Sequence, residues 1–244
     1  MSKSILNDPA IIFEDSHIIV VIKPVNVPVC PDSSGDDNLL DQIKTYLAAA
    51  KEKDTAFCGL VHRLDRVTGG VMVFAKTSKA AARLSEQMQN NAFIKTYLAV
   101  VIGSPKNREG VLVNHLLKNE ARNIVEIVPS ATTGAKRAEL SYIVTNKTPL
   151  NKADVSLVRV NLVTGRSHQI RVQMSGIGCP IFGDGKYGGD KLGKGWDLAL
   201  WAHELSFHHP ITDDIMRFVV NPPETTPWTS FDFERKSHKT RGVD

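Results

Sequence analysis

Cysteine is scarce: the 244 residues hold only Cys30, Cys58 and Cys179, with no Cys-x-x-Cys pair. That odd, scattered set supports neither a disulfide framework nor a thiolate zinc site, and fits a reducing cytosol. Long apolar runs are missing too, none nearing the about 18 residues that span a bilayer, and the Met1 to Pro9 segment lacks a signal's apolar core. A membrane protein is not indicated. No charge of one sign prevails, since 30 Lys and Arg face 26 Asp and Glu, a formal +4. Such mild basicity permits a polyanionic partner without requiring one. With 42% apolar and 23% charged residues the chain has ordinary globular composition, long enough for a sizeable core.

What is present concentrates between Cys58 and Lys76. An apolar lead-in (Leu60, Val61) is followed by His62, Arg63, Asp65 and Arg66, a Thr68-Gly69-Gly70 turn and a second apolar run. Asp65 is the only carboxylate of the stretch. Flanked by Arg63 and Arg66 it is expected to be held ionised, because opposite charges favour the charged form. An extended backbone would place Arg63 and Asp65 on one face and His62 and Leu64 on the other. On local chemistry alone this could equally be an exposed ion-pair loop between core strands.

His62-Arg63-Leu64-Asp65 followed by Thr68, Gly70 and Ala75-Lys76 resembles the signature of the RluA-type family of RNA pseudouridine synthases. Three further segments extend the resemblance over roughly residues 11 to 221, in the family's order. Lys23-Pro24 closes an early β region; Lys95-Thr96-Tyr97 matches the family's Lys-x-Tyr; Gly165-Arg166-Ser167-His168-Gln169-Ile170-Arg171 matches its Gly-Arg-x-His-Gln-Ile-Arg and runs on through Gly183-Asp184 to Tyr187-Gly188. The resemblance implies an α+β fold: a mixed, largely antiparallel sheet carrying a catalytic cleft, with a few packed helices. It further implies isomerisation of uridine to pseudouridine in ribosomal or transfer RNA, with Asp65 catalytic, Tyr97 against the target base and Arg171 paired with Asp65.

Periodicity is consistent with that fold. Short strands are expected at 11–13, 17–22, 94–102, 124–128, 138–145 and 155–163, with a closing strand at 217–220. One helix should follow the 31–38 loop with Leu40, Ile43, Leu47 and Ala48 on one face; another, capped by Ser78, carries Ala81, Leu84 and Met88. Gly183 to Gly188 spells Gly-x-Gly-x-x-Gly, but it opens no apolar helix and is rejected as a dinucleotide site; residues 183–195 are read as a flexible loop. His203, His208 and His209 lack metal-ligand spacing and are read as ordinary hydrogen-bonding histidines.

Residues 1–10 are read as an extension, 11–232 as one catalytic domain, and 233–244 as a basic, disordered tail. So short an extension leaves no room for the separate N-terminal RNA-binding domain of some family members. Arg63, Lys23, Arg166 and His168 are the RNA-binding candidates: Arg63 to fill the space of an extruded base, the others on the phosphate side. No metal, organic cofactor or membrane is implied, and the chain is taken as a cytoplasmic monomer. Whether Asp65 adds to C1′ or removes a ribose proton stays open. Two departures from the family pattern stand out. Gly69 replaces the usual serine, which should loosen the turn after Asp65, and Gln173 replaces a common histidine. An RNA-binding member without catalysis is the alternative if the turn is disorganised.

Overall fold

The computed structural model describes residues 9–50, 52, 54–150, 153–188 and 195–233; the expected tail and most of the extension lie outside them. In chain order the elements are β1 (Ala10–Glu14), β2 (Ile18–Lys23), α1 (Leu39–Ala49), β3 (Gly59–Leu60), β4 (Gly69–Ala75), α2 (Ser78–Gln89) and β5 (Ile94–Ile102). There follow β6 (Glu109–Asn119), β7 (Ile124–Val128), β8 (Lys136–Leu150), β9 (Ala153–Leu162), α3 (Gln169–Gly176), β10 (Leu200–His208) and β11 (Ile215–Val219). The fold is α+β. Its sheet runs β1-β2-β4-β10-β5-β9-β8-β6-β7, with β11 on β10 and β3 on β4. Among the described residues only the β4–β10 pairing is parallel, so the sheet is mixed and largely antiparallel.

Burial follows the strand chemistry. Ile18 to Val21 are wholly inaccessible, and all seven residues of β4 are buried, as expected of central strands covered on both faces. In β9 Val158 and Val160 point inward while Arg159 and Asn161 face solvent, the expected alternation. α1 packs Leu39, Ile43, Leu47 and Ala48 inward, with Leu40 only partly buried, and Asn38 caps it by accepting from the Asp41 amide at 3.1 Å. α2 is capped by Thr77 rather than Ser78, through Oγ1 accepting from the Ala80 amide. β6 was not foreseen: Val111 and Val113 lie on its exposed side and Leu112 and Leu116 on the other, which erases the period-2 contrast.

The Gly69-Gly70 pair starts β4 against β10, in register with Trp201 and Ala202. Gly70 has φ of +125°, a conformation that side chains with a Cβ rarely adopt. Gly69 is needed for space instead: a Cβ there would overlap the Trp201 ring, lying 2.8 Å from Cε3. The turn is therefore filled rather than loosened, a correction to the expectation drawn from the missing serine. Trp201 is in turn fixed by its indole N–H, which donates to the Val220 carbonyl at 3.0 Å. Gly69→Ser should destabilise the protein by about 1–3 kcal/mol through overpacking. Thermal melts check this: Gly69→Ser should melt lower, and combining it with Trp201→Ala should restore part of the loss. An unshifted single variant would show that the ring yields freely.

Candidate active site

Asp65 sits in the loop between β3 and β4, whose geometry is set from beneath. The Thr68 amide donates to the Asp65 carbonyl at 2.9 Å, closing a turn. Lys23, at the end of β2, donates its Nζ to the Pro24 carbonyl at 2.7 Å and the Arg66 carbonyl at 2.9 Å. His62 accepts the Val73 amide on Nε2 at 3.2 Å, and burial pushes its imidazole down to about 4, so it is a neutral strut. Arg66 turns away from Asp65, bonding the Ser34 hydroxyl at 2.9 Å and pairing with Asp36 and, at 3.5 Å, Asp32. The expected clamp of Asp65 between two arginines is thus not formed.

Lys23 also departs from expectation. It is fully buried, out of reach of a phosphate on the surface, and acts as an internal tie beneath the Asp65 loop. Burial pushes its ammonium down to about 7, against the opposing pull of Asp65, with Arg66 lowering it further. Between about 7 and its ordinary 10.5 the unfolded chain binds a proton that the folded chain lacks, so this residue makes stability rise with pH across that window. Lys23→Met should remove that contribution. Urea midpoints across the same window should show the wild type gaining on the variant as pH rises; parallel curves would refute the buried charge.

The opposite wall comes from α3 and the turn at 183–188. The Gln169 side chain ties the loop before α3, accepting from the Thr164 hydroxyl at 2.8 Å and the Arg166 amide at 3.0 Å while donating to the Glu139 carbonyl at 3.0 Å. Arg171 projects from α3 into a two-point bond with Asp184, Nε to Oδ2 at 2.8 Å and Nη2 to Oδ1 at 2.7 Å. Its remaining nitrogen, Nη1, lies 3.9 Å from Asp65 Oδ2. The family-implied pairing of Arg171 with Asp65 is therefore the longer of two, and Asp184 is the main partner. Burial opposes charge on Asp184, but the bonds from Arg171 and from the Tyr187 and Lys186 amides outweigh it and hold the carboxyl below its usual range. A two-point guanidinium–carboxylate bond also fixes orientation.

Tyr187 completes this wall. Its ring lies 5.2 Å from the Arg171 guanidinium carbon, in cation–π range, and its hydroxyl accepts the Val125 amide at 2.8 Å. The hydroxyl is also 2.8 Å from Nδ1 of His168, whose imidazole burial holds below its ordinary value. The Val125 amide and the His168 ring thus converge on one phenol oxygen. Of the loop expected over 183–195, residues 183–188 form an ordered turn, the Gly188 amide donating to the Asp184 carbonyl at 2.8 Å, and 189–194 lie outside the described residues. Asp184 and Tyr187 were missed as site residues although both stand inside the quoted third motif.

Between the walls lies a cleft lined by Arg63, Asp65, Thr68, Tyr97, Arg166, His168 and Arg171 over an apolar floor of Leu162, Ile170 and Leu200. Tyr97 comes from β5, one strand beyond β10, and burial pushes its hydroxyl pKa up, with Asp65 adding to the shift. It enters the cleft as a neutral phenol. Arg63 and Arg166 are exposed at the mouth, Arg166 donating Nε to the Arg137 carbonyl at 3.0 Å. The structure thus gathers six of the seven sequence candidates around one cavity and leaves out Lys23. Thr68 adds a buried hydroxyl beside Asp65 without a protein partner, a donor still to be used. The histidines of β10 and after bond within the fold, His203 to the Val220 carbonyl, His208 to the Asp213 carbonyl and His209 to Asp15.

A family model described as RNA pseudouridylate synthase matches residues 17–176, which take in the Asp65 loop, Tyr97 and Arg171. The chain belongs to the RNA pseudouridylate synthase family. Ribosomal large subunit pseudouridine synthase D of Zymomonas mobilis is 36% identical over 228 residues, covering 88% of this chain and 69% of that protein. Ribosomal large subunit pseudouridine synthase C of Salmonella typhi is 35% identical, over 85% of this chain and 64% of its own length. The chain thus spans about two thirds of the length of these curated relatives. Among solved structures, human RNA pseudouridylate synthase domain containing 4 superposes with a TM-score of 0.72 at 25% identity, over 88% of each chain. Human RNA pseudouridylate synthase domain containing 1 shares the fold, with a TM-score of 0.76 at 21% identity over 92% of this chain.

Proposed function

We propose that this pseudouridylate synthase family member isomerises uridine to pseudouridine in large-subunit ribosomal RNA, using Asp65. The observation that carries the reading is the arrangement around Asp65: one half-exposed carboxylate, an arginine held 3.9 Å away by a second carboxylate, and a buried tyrosine, over an apolar floor. A uracil ring suits such a floor, and a target base inside RNA must first be extruded, at about a few kcal/mol for lost stacking. Exposed Arg63 can occupy the vacated place, since a guanidinium stacks on bases and bonds phosphate. Arg166 at the mouth supplies a second cation for the backbone, and the His168 ring lines the same cleft.

In the proposed reaction the N1–C1′ bond breaks, the uracil turns within the cleft, and C5 bonds to C1′. The C5 proton is then lost and N1 gains one, so no redox partner is needed. Asp65 stabilises the electron-poor anomeric carbon or abstracts a ribose proton; its position in the cleft suits either. Asp184 is unsuited to act as a glycosidase-type acid because Arg171 occupies both its oxygens. Tyr97, held as a neutral phenol, lies against the base. The filled turn at Gly69 speaks for retained catalysis over a binding-only role.

The test is tritium release from unmodified RNA carrying tritium at uridine C5. Release from large-subunit ribosomal RNA and little from transfer RNA is expected. Release from transfer RNA alone would reassign the substrate, and none from either would overturn the reading.

A further inference from the structure

We propose that Trp196 is a stacking platform for an unpaired base of the substrate RNA next to the extruded uridine; this deepens the function just proposed and rests on it. Of the three tryptophans, Trp201 and Trp228 are buried, 6% and 5% exposed, whereas Trp196 is 48% exposed. Its ring thus offers an open apolar face to a partner. It is also firmly placed. Gly183, with φ of +76°, has no Cβ, and the Asp197 carbonyl packs into that space while the Trp196 carbonyl lies 3.0 Å from where a Cβ would be. The Phe182 ring backs the indole at 6.2 Å. Gly183 directly precedes Asp184, so platform and Arg171 share one support.

Position supplies the occupant. Trp196 borders a groove with Asn26, Val67, Arg171, Lys186 and Asp197. Val67, Arg171 and Lys186 also line the larger cleft that holds Asp65, so the groove continues from the site on the far side of Arg171. Beside the acid-paired Arg66, Lys118 and Arg171, the cleft carries Arg63, Arg166 and Lys186, cations that suit a polyanion entering along this line. Among the described residues Asp197 is the one carboxylate lining the groove, and it is engaged by the Asn26 amide at 2.7 Å. Extruding one nucleotide exposes the faces of its neighbours, and a flat indole beside a cationic groove is the usual means of covering such a face. Stacking reads no hydrogen-bond pattern, so the platform fixes the path of the strand rather than its sequence.

The test uses full-length protein and the ribosomal RNA substrate, with wild-type tritium release measured first. Absence of release would fault the functional reading itself. With release established, RNA should quench indole fluorescence, since only Trp196 is open, and Trp196→Phe should lose that quench while binding nearly as well. Trp196→Ala should bind about 5- to 100-fold more weakly, with an unchanged slope against salt because no phosphate contact is lost. Lys186→Ala should instead lower the slope. Wild-type affinity in Trp196→Ala, or a quench that persists in Trp196→Phe, would overturn the proposal. If Trp196→Ala keeps RNA affinity but loses self-association, the platform belongs to a second copy and the proposal also fails.

Discussion

Asp65→Asn should abolish tritium release, by about a thousandfold or more, while leaving RNA affinity and thermal stability close to wild type. A thousandfold corresponds to about 4 kcal/mol of transition-state stabilisation, within reach of one preorganised charge in a partly dehydrated site. The substitution is nearly isosteric and removes charge alone. Stability should survive because Asp65 is 29% exposed and its ion pair with Arg171 is long, 3.9 Å, so little folding energy resides in it. Affinity should survive because the carboxylate repels the RNA backbone and its neutralisation removes no cation from the mouth. The decisive comparison is single-turnover release at saturating RNA. A variant within about tenfold of wild type, a barrier change of about 1.4 kcal/mol, would remove Asp65 from the chemistry.

Asp184→Asn should be both inactive and destabilised, although Asp184 is wholly buried and out of reach of RNA. Its side chain is 0% exposed and that of Arg171 7%, so the bond between them is an internal ion pair. Removing one partner of such a pair leaves an uncompensated charge and costs about 3–5 kcal/mol. The loss of activity has a second source. Asp184 holds Arg171 with one nitrogen 3.9 Å from Asp65, too far to bond both its oxygens. Freed of Asp184, the guanidinium would swing onto Asp65 and sequester it. A double variant separates the two effects: Arg171→Gln with Asp184→Asn should recover much of the stability, having no buried charge to strand, yet stay inactive. Denaturant melts beside tritium release check this. An active Asp184→Asn enzyme would show that the position of Arg171 is unimportant.

The parts legible in the sequence were those whose chemistry is local. β5 and β9 announced themselves by β-branched runs and alternation, and α1 by its apolar spacing. The seven sequence candidates came with motifs, and the cleft gathers Asp65, Tyr97, Arg171, Arg63, Arg166 and His168. What failed were inferences about partners. Arg66 stands next to Asp65 in sequence yet bonds Asp32, Ser34 and Asp36 from a loop some thirty residues earlier. Lys23 looked like a surface cation beside a proline but is buried, because β2 lies inside the sheet and its end points under the Asp65 loop. Gly69 appeared as a lost hydroxyl, while the Trp201 ring that takes up the space is supplied by β10. Neighbours in sequence predict strands and helices well; ion pairs and filled spaces are settled by topology.

That topology carries a last consequence, for the spacing of the site. The Asp65 loop enters β4 and Tyr97 lies on β5, and these strands do not touch; β10, from near the end of the fold, is inserted between them. Asp65 and Tyr97 therefore acquire a fixed separation only once β10 has docked. Without β10 the β1-β2-β4 strands and the β5-β9-β8-β6-β7 strands have, among the described residues, no pairing to join them. The spacing of the two groups is thus set by a strand that carries neither of them.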